Sequence, residues 1–141
     1  MADPAVGWQG YLQIDNSGGV LTDVTDFVTG TSPAFDKQVF DITTFGNNGS
    51  RAKTTGLKDG KFPVDFFSDP TILSHLIALW NMAAGSTHSF VYGPHGNASG
   101  KVRVTGELIL VTLPLPAVVD DVERIQAAFE CTGTVTFDLF P

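Results

Sequence analysis

RIQAAFECTGTVTFDLF, Arg124 to Phe140, alternates in polarity along nearly its whole length. Ile125, Ala127, Phe129, Cys131, Val135, Phe137 and Leu139 are apolar, while Arg124, Gln126, Glu130, Thr132, Thr134, Thr136 and Asp138 mostly fall on the other parity. Successive side chains of a strand point to opposite faces, so this period of two predicts β-structure with one face on a core. Gly133 interrupts the pattern and is expected to bend or bulge the run into two strands.

The same signature recurs upstream. WQGYLQID predicts Trp8, Leu12 and Ile14 inward, KFPVDFF predicts Phe62, Val64 and Phe66, and KVRVTGELIL predicts Val102, Val104, Leu108 and Leu110. SPAFDKQVFDITTF, Ser32 to Phe45, is rich in β-formers but alternates less cleanly, and THSFVYG adds a short strand before the turn GPHGNASG. One segment reads as a helix. SDPTILSHLIALWNMAAG opens with Ser68 or Asp69 as N-cap and Pro70 at the first helical position, and closes at Gly85. Ile72, Leu73, Leu76, Leu79 and Trp80 make its apolar face, with Ser74, His75 and Asn81 off centre.

Six or seven strands with one helix inserted midway predict a mainly β fold, an antiparallel β-sandwich or barrel with one flanking α-helix at about residues 70–84. At 141 residues the chain has the length of a single domain, 1–141. The start MADPAVGWQG lacks the basic and apolar regions of a signal peptide. The longest apolar run, LILVTLPLPAVV, is interrupted by Pro114 and Pro116 and falls short of the roughly 20 residues that span a bilayer. The expectation is a soluble protein, made and kept in the cytoplasm, with no membrane partner.

The net charge of -7 disfavours a broad surface for nucleic acid. Cys131 stands alone and falls on the apolar parity of its strand, so it is expected to be an inert core thiol. Trp8 and Trp80 fall on apolar stripes and are expected in the core. His75, His88 and His95 lie on a helix, at a strand start and in a glycine loop, which does not suit a metal centre; ordinary exposed histidines are expected. Asp120, Asp121 and Glu123 fit a solvated turn better than a cation site. No nucleophile elbow, phosphate loop or dinucleotide fingerprint is present. The expectation is no enzyme, no catalytic residues, no metal and no cofactor.

Against this acidic background NNGSRAKTTGLKDGK, Asn47 to Lys61, gathers four of the eight basic residues: Arg51, Lys53, Lys58 and Lys61. A polar stretch with Gly49 and Gly56 is ill suited to cover a core, and an acidic body repels its own copies unless positive groups are offered to the neighbour. The bland alternative is a hairpin kept soluble by lysines.

The order of these pieces resembles the major tail (tail tube) proteins of long, non-contractile-tailed bacteriophages, over about Gly10 to Leu139. The residues that carry the resemblance are Asp23 to Val28, D-x-T-T-F-G at Asp41 to Gly46, G-L-x-D-G at Gly56 to Gly60, and the D-D-V and T-G-T-V-T runs near the C-terminus. The resemblance implies a sandwich with a flanking helix, six copies of which close into a ring whose sheets join into one inner barrel. Rings then stack into the tube that conducts the genome; the tube protein of type VI secretion is similar in fold. It implies a projecting loop at about 44–58 that contacts the adjacent ring, here through Asn47, Asn48, Arg51, Lys53 and Lys58. It also implies an acidic lumen, for which Asp36, Asp65 and Glu107 on outward strand faces are candidates. The implied partners are further copies of the chain, then tape-measure, tail terminator and distal tail proteins, with DNA as non-specific passing cargo. The implied location is the virion tail, after assembly in the host cytoplasm. Two alternatives remain: a terminator or neck protein that forms one ring, and a small ligand-binding β-sandwich module with a site near His88, Tyr92 and His95.

Overall fold

The computed structural model describes residues 10–115 and 124–141. Eight strands and one helix follow in the order β1 (Tyr11–Asp15), β2 (Leu21–Asp23), β3 (Val28–Thr31), β4 (Ala34–Asp41), β5 (Lys53–Phe67), α1 (Pro70–Trp80), β6 (His88–Gly93), β7 (Val102–Thr112) and β8 (Arg124–Leu139). All strands belong to one antiparallel sheet, in the order β2-β1-β6-β7-β8-β5-β3, with β4 paired to β5 outside that path. The sheet is curled. Phe62 on β5 and Phe90 on β6 are three strand spacings apart within it, roughly 14 Å if it were flat, yet their ring centroids are 5.1 Å apart. The result is a half-barrel with one helix, the mainly β architecture expected.

The concave face is the core. Leu12 and Ile14 of β1, Phe62, Val64 and Phe66 of β5, Val104 and Leu108 of β7, and Ile125, Ala127 and Phe129 of β8 are all buried at period two. Ile72, Leu76 and Leu79 of α1 complete it. Asp69 caps α1, its carboxylate accepting from the Thr71 amide at 2.8 Å, with Pro70 at the first position. The helix ends at Trp80 rather than near residue 84, with Asn81 as its C-cap. At roughly 100° per residue Ile72, Leu76 and Leu79 point one way, and Trp80 lies well round from that centre. It is 52% exposed, not core. Among the described residues no helix is long and apolar enough to cross a membrane. Trp8 and the Asp120, Asp121, Glu123 group lie outside the described residues.

β8 remains one strand of 16 residues instead of two. Gly133 takes φ +70, and opposite it the register jumps from Glu107↔Thr132 to Thr105↔Thr136, so the extra residues bulge while β7 continues to pair. The inward reading fails for its far end: Phe137 is 58% exposed and Leu139 is similar, although Val135 packs on the core. The cause is a lost neighbour. β5 pairs with β8 only from Arg124 to Glu130, and beyond that point β5 departs with β4. Val102, at the matching end of β7, is exposed as well.

The segment expected as a loop at 44–58 is half strand. Lys53 to Lys58 belong to β5 and pair with β4, so the connection shrinks to residues 42–52. Gly56, read from sequence as a loop residue, lies in the strand because the Phe40 ring occupies the space a side chain would need. Gly60 makes similar room for Phe35 and Cys131.

Candidate assembly surfaces

Three surfaces stand out. The first is the hairpin arm formed by β4 and the first half of β5. Every residue from Lys53 to Asp59 is exposed, as are all positions of β4 except Phe35, so most of the arm has water on both faces. It nevertheless carries Val39, Phe40, Ile42, Phe45 and Leu57 as exposed apolar side chains, with Leu57 at 79% and Phe45, at the tip, fully exposed. Apolar groups concentrated on a projecting element mark a contact surface.

The arm's tip is internally bonded. The Ile42 amide donates to the Ala52 carbonyl at 2.9 Å, and Asp41 accepts from the Thr43 amide and hydroxyl and from Arg51 at 2.9 Å. These bonds, the Thr43 hydroxyl first, hold the Asp41 carboxyl below the usual range. Thr44 and Asn47 form a capping box over a 3-10 turn at Phe45–Asn47, and Asn48 (φ 51) and Gly49 (φ 84) turn the chain back. Of the five residues expected to make inter-ring contacts, Asn47, Asn48 and Arg51 lie in this tip, Lys53 at the start of β5 and Lys58 nearer the body. Arg51 is already paired with Asp41, which sequence spacing alone did not disclose.

The second surface is the cleft where β8 and the arm part company, lined by Phe35, Leu57, Cys131, Val135 and Phe137 with the charged Asp36, Lys37, Lys58 and Asp59. Phe35 and Phe137 meet edge to face at 5.1 Å. Burial, and then Asp59, push the Cys131 thiol up, which disfavours the thiolate. From Cys131 onward β8 has β7 on one side and, among the described residues, no strand on the other. That leaves an open backbone edge beside the cleft.

The third is the convex face of the sheet. Asp65 on β5 and Glu107 on β7 share it, on either side of β8 with Glu130, and Glu107 accepts from the Ser89 hydroxyl at 2.7 Å. Asp36 continues this face onto the arm. Arg103 and Asp138, directly opposite on β7 and β8, form a two-bond ion pair at 2.8 and 2.6 Å that holds the Asp138 carboxyl down.

The histidines are not the exposed set expected. His88 is 3% exposed at the start of β6, and its Nδ1 has no hydrogen-bond partner among the described residues. His75 is partly buried on α1 and bonds the Asp15 carbonyl at 2.9 Å. Asp15 itself accepts from the Ser89 amide. Only His95 is exposed. His88, Tyr92 and His95 do not converge on a ligand groove: His88 sits roughly 13 Å along β6 from Tyr92, which packs on Phe62. No cluster of metal-ligating side chains occurs among the described residues.

Burial lowers the pKa of both His75 and His88, against the opposing pull of Asp15 and, at His88, of Glu107. Below the ordinary histidine value of about 6.5 the unfolded chain therefore binds protons that the folded chain refuses. Stability is expected to fall as pH drops from about 7.5 to 5.5. The double variant His75→Gln, His88→Gln should flatten that slope in thermal melts; an unchanged slope would assign it to other groups.

No protein-family model matches this sequence, and no curated protein matches it either. Solved structures do share the fold. A chain in the tail of an empty gene transfer agent (GTA) particle, refined helically with C6 symmetry, superposes with a TM-score of 0.76 at 13% identity, covering 96% of this chain and 99% of that one. A chain of the virion of a native GTA particle gives 0.73 at 12% identity, covering 96% and 99%. A chain of the anti-feeding prophage (AFP) baseplate, 6-fold symmetrised, gives 0.63 at 15% identity, covering 97% of each. The fold is one found in tail and baseplate components of such particles.

Proposed function

We propose that this chain is a structural tail-tube subunit, six copies of which close into a ring and stack into a hollow conduit for a genome. The carrying observation is the end-to-end likeness to a chain of a C6-symmetric tail, joined to a curled sheet that leaves an open edge along β8 and a long arm outside the core. An open edge beside an apolar cleft offers both backbone pairing and burial to the next copy. The arm, through Asn47, Asn48, Arg51, Lys53 and Lys58, contacts the adjacent ring. The subunit acts in the virion tail after assembly in the host cytoplasm, in contact with tape-measure, terminator and distal tail proteins, and has no catalytic role.

The convex face, with Asp65 and Glu107, lines the lumen and keeps phosphates from sticking. Replacing Asp65 and Glu107 by Lys is expected to make assembled tubes retain DNA, with an effect that fades at high salt; unchanged retention removes both from the wall. Light scattering after size exclusion tests the assembly itself. The expected masses are a six-copy multiple of the 15.0 kDa chain and far larger species; a monomer at all concentrations overturns it. A single-ring role as a terminator or baseplate component is the second reading, favoured by the likeness to the AFP baseplate chain, and a six-copy species that never grows would select it.

A further inference from the structure

The arm is charged in an unusual way. In the β4–β5 ladder Asp36 stands directly opposite Asp59, and one step along Lys37 stands directly opposite Lys58. Directly opposite residues of an antiparallel pair share a face, and successive residues alternate. One face of the arm therefore carries two carboxylates side by side and the other carries two ammonium groups. Like charges in this position, with Cβ atoms roughly 5 Å apart, destabilise a hairpin.

Among the described residues no ion pair relieves either pair within the subunit, although the Gly60 amide donates to Asp59 Oδ1 at 2.8 Å. The ion pairs among the described residues are Arg51–Asp41 and Arg103–Asp138, and none reaches these four side chains. Lys61 shares the acidic face but stands opposite Glu130 on β8. Asp36, Lys37, Lys58 and Asp59 are all exposed, so each pair is presented to whatever approaches that face. All four charged residues border the cleft with Phe35, Leu57 and Phe137, which would partly exclude water from a contact made there.

We infer that the arm is a charge-complementary coupler between copies of this chain, in which the Lys37/Lys58 face of one subunit packs against the Asp36/Asp59 face of the next. The partner is a second copy because the two faces complement each other and not themselves. A two-fold dimer through the arm would bring equal faces together and repel, whereas a head-to-tail array brings unlike faces together at every contact. The arm thus selects rings or stacks against dimers. This rests on the self-assembly proposed above and moves Asp36 from the lumen wall to the subunit contact.

The test uses three variants of the full chain, compared by negative-stain microscopy and light scattering with folding checked by circular dichroism. Lys37→Glu with Lys58→Glu makes both faces acidic, and Asp36→Lys with Asp59→Lys makes both basic. Each alone should remain folded and lose assembly, while an equimolar mixture should assemble at a level approaching the parent. A third variant, Asp36→Lys, Asp59→Lys, Lys37→Asp and Lys58→Asp, exchanges the faces and should assemble by itself. Normal assembly of either one-signed variant overturns the coupler and leaves tube formation standing; a parent that never assembles overturns both. Should the one-signed variants fail to fold, the parent decides: its assembly should weaken severalfold between about 0.05 and 1 M salt, and salt-independent assembly overturns the inference.

Discussion

Phe129→Ala should cost about 3 to 5 kcal/mol of stability, enough to lower the melting temperature by on the order of 10 °C or more. The ring is fully buried on β8, at the centre of the concave face, and its strand partners there are Phe62 on β5 and Leu110 on β7. Removing it leaves a cavity that curled strands on both sides cannot close without breaking their ladder. Phe137→Ala is the control. It belongs to the same alternating run, yet its ring is mostly in solvent and its chief aromatic contact is Phe35, so about 0.5 to 1.5 kcal/mol is expected. Equal losses at the two positions would mean that the core extends to the end of β8. A negligible loss at Phe129 would contradict the placement of the core itself.

The second large effect is on assembly rather than folding. Ile42 and Ala52 are already joined by a backbone hydrogen bond across the arm, so residues 43–51 can be replaced by Asn-Gly, a pair suited to a two-residue hairpin turn. No buried residue is removed, because every side chain from Thr43 to Arg51 is exposed or nearly so. Thermal stability should stay within about 1 kcal/mol of the parent, since shortening a loop alters closure entropy only slowly. Stacking should be lost, leaving single rings or monomers, because Phe45 and the capped turn that presents it are gone. Tubes of normal length from this variant would remove the tip from the inter-ring contact and leave the remaining β4–β5 ladder to make it.

Period-two patterning was sufficient where both neighbours of a strand are present. Phe62, Val64, Phe66, Leu108, Ile125 and Phe129 could all be placed inward from polarity alone, and the helix from Pro70 and its apolar spacing. The same rule failed at Phe137 and Leu139, because alternation states which way a side chain points and not whether anything stands there to cover it. Trp80 failed for a different reason: it follows buried Leu79 directly but lies well round the helix from the face made by Ile72, Leu76 and Leu79. His88 was misjudged because a polar residue on an inward position reads as a strand end, and the groups it meets there, Leu108 across the ladder and the charges of Asp15 and Glu107, are distant in sequence.

The arm was legible as a cluster of charge but not as structure. Glycines at 49 and 56 suggested a loop, whereas Gly56 is where the Phe40 ring lies over the strand. Register is the quantity that sequence withheld. Only the pairing of β4 with β5 sets Asp36 against Asp59 and Lys37 against Lys58, and a shift by one residue would have replaced both like pairs with a single unlike one, Asp36 against Lys58 or Lys37 against Asp59.

Electron microscopy of the purified chain over a range of concentrations tests the central claim most directly. Self-assembly as a tail-tube subunit predicts hollow tubes of uniform diameter whose cross-sections show six-fold symmetry, with the convex face bearing Asp65 and Glu107 toward the bore. A folded chain that stays monomeric at every concentration and salt, or that packs into solid fibres without a lumen, would contradict it.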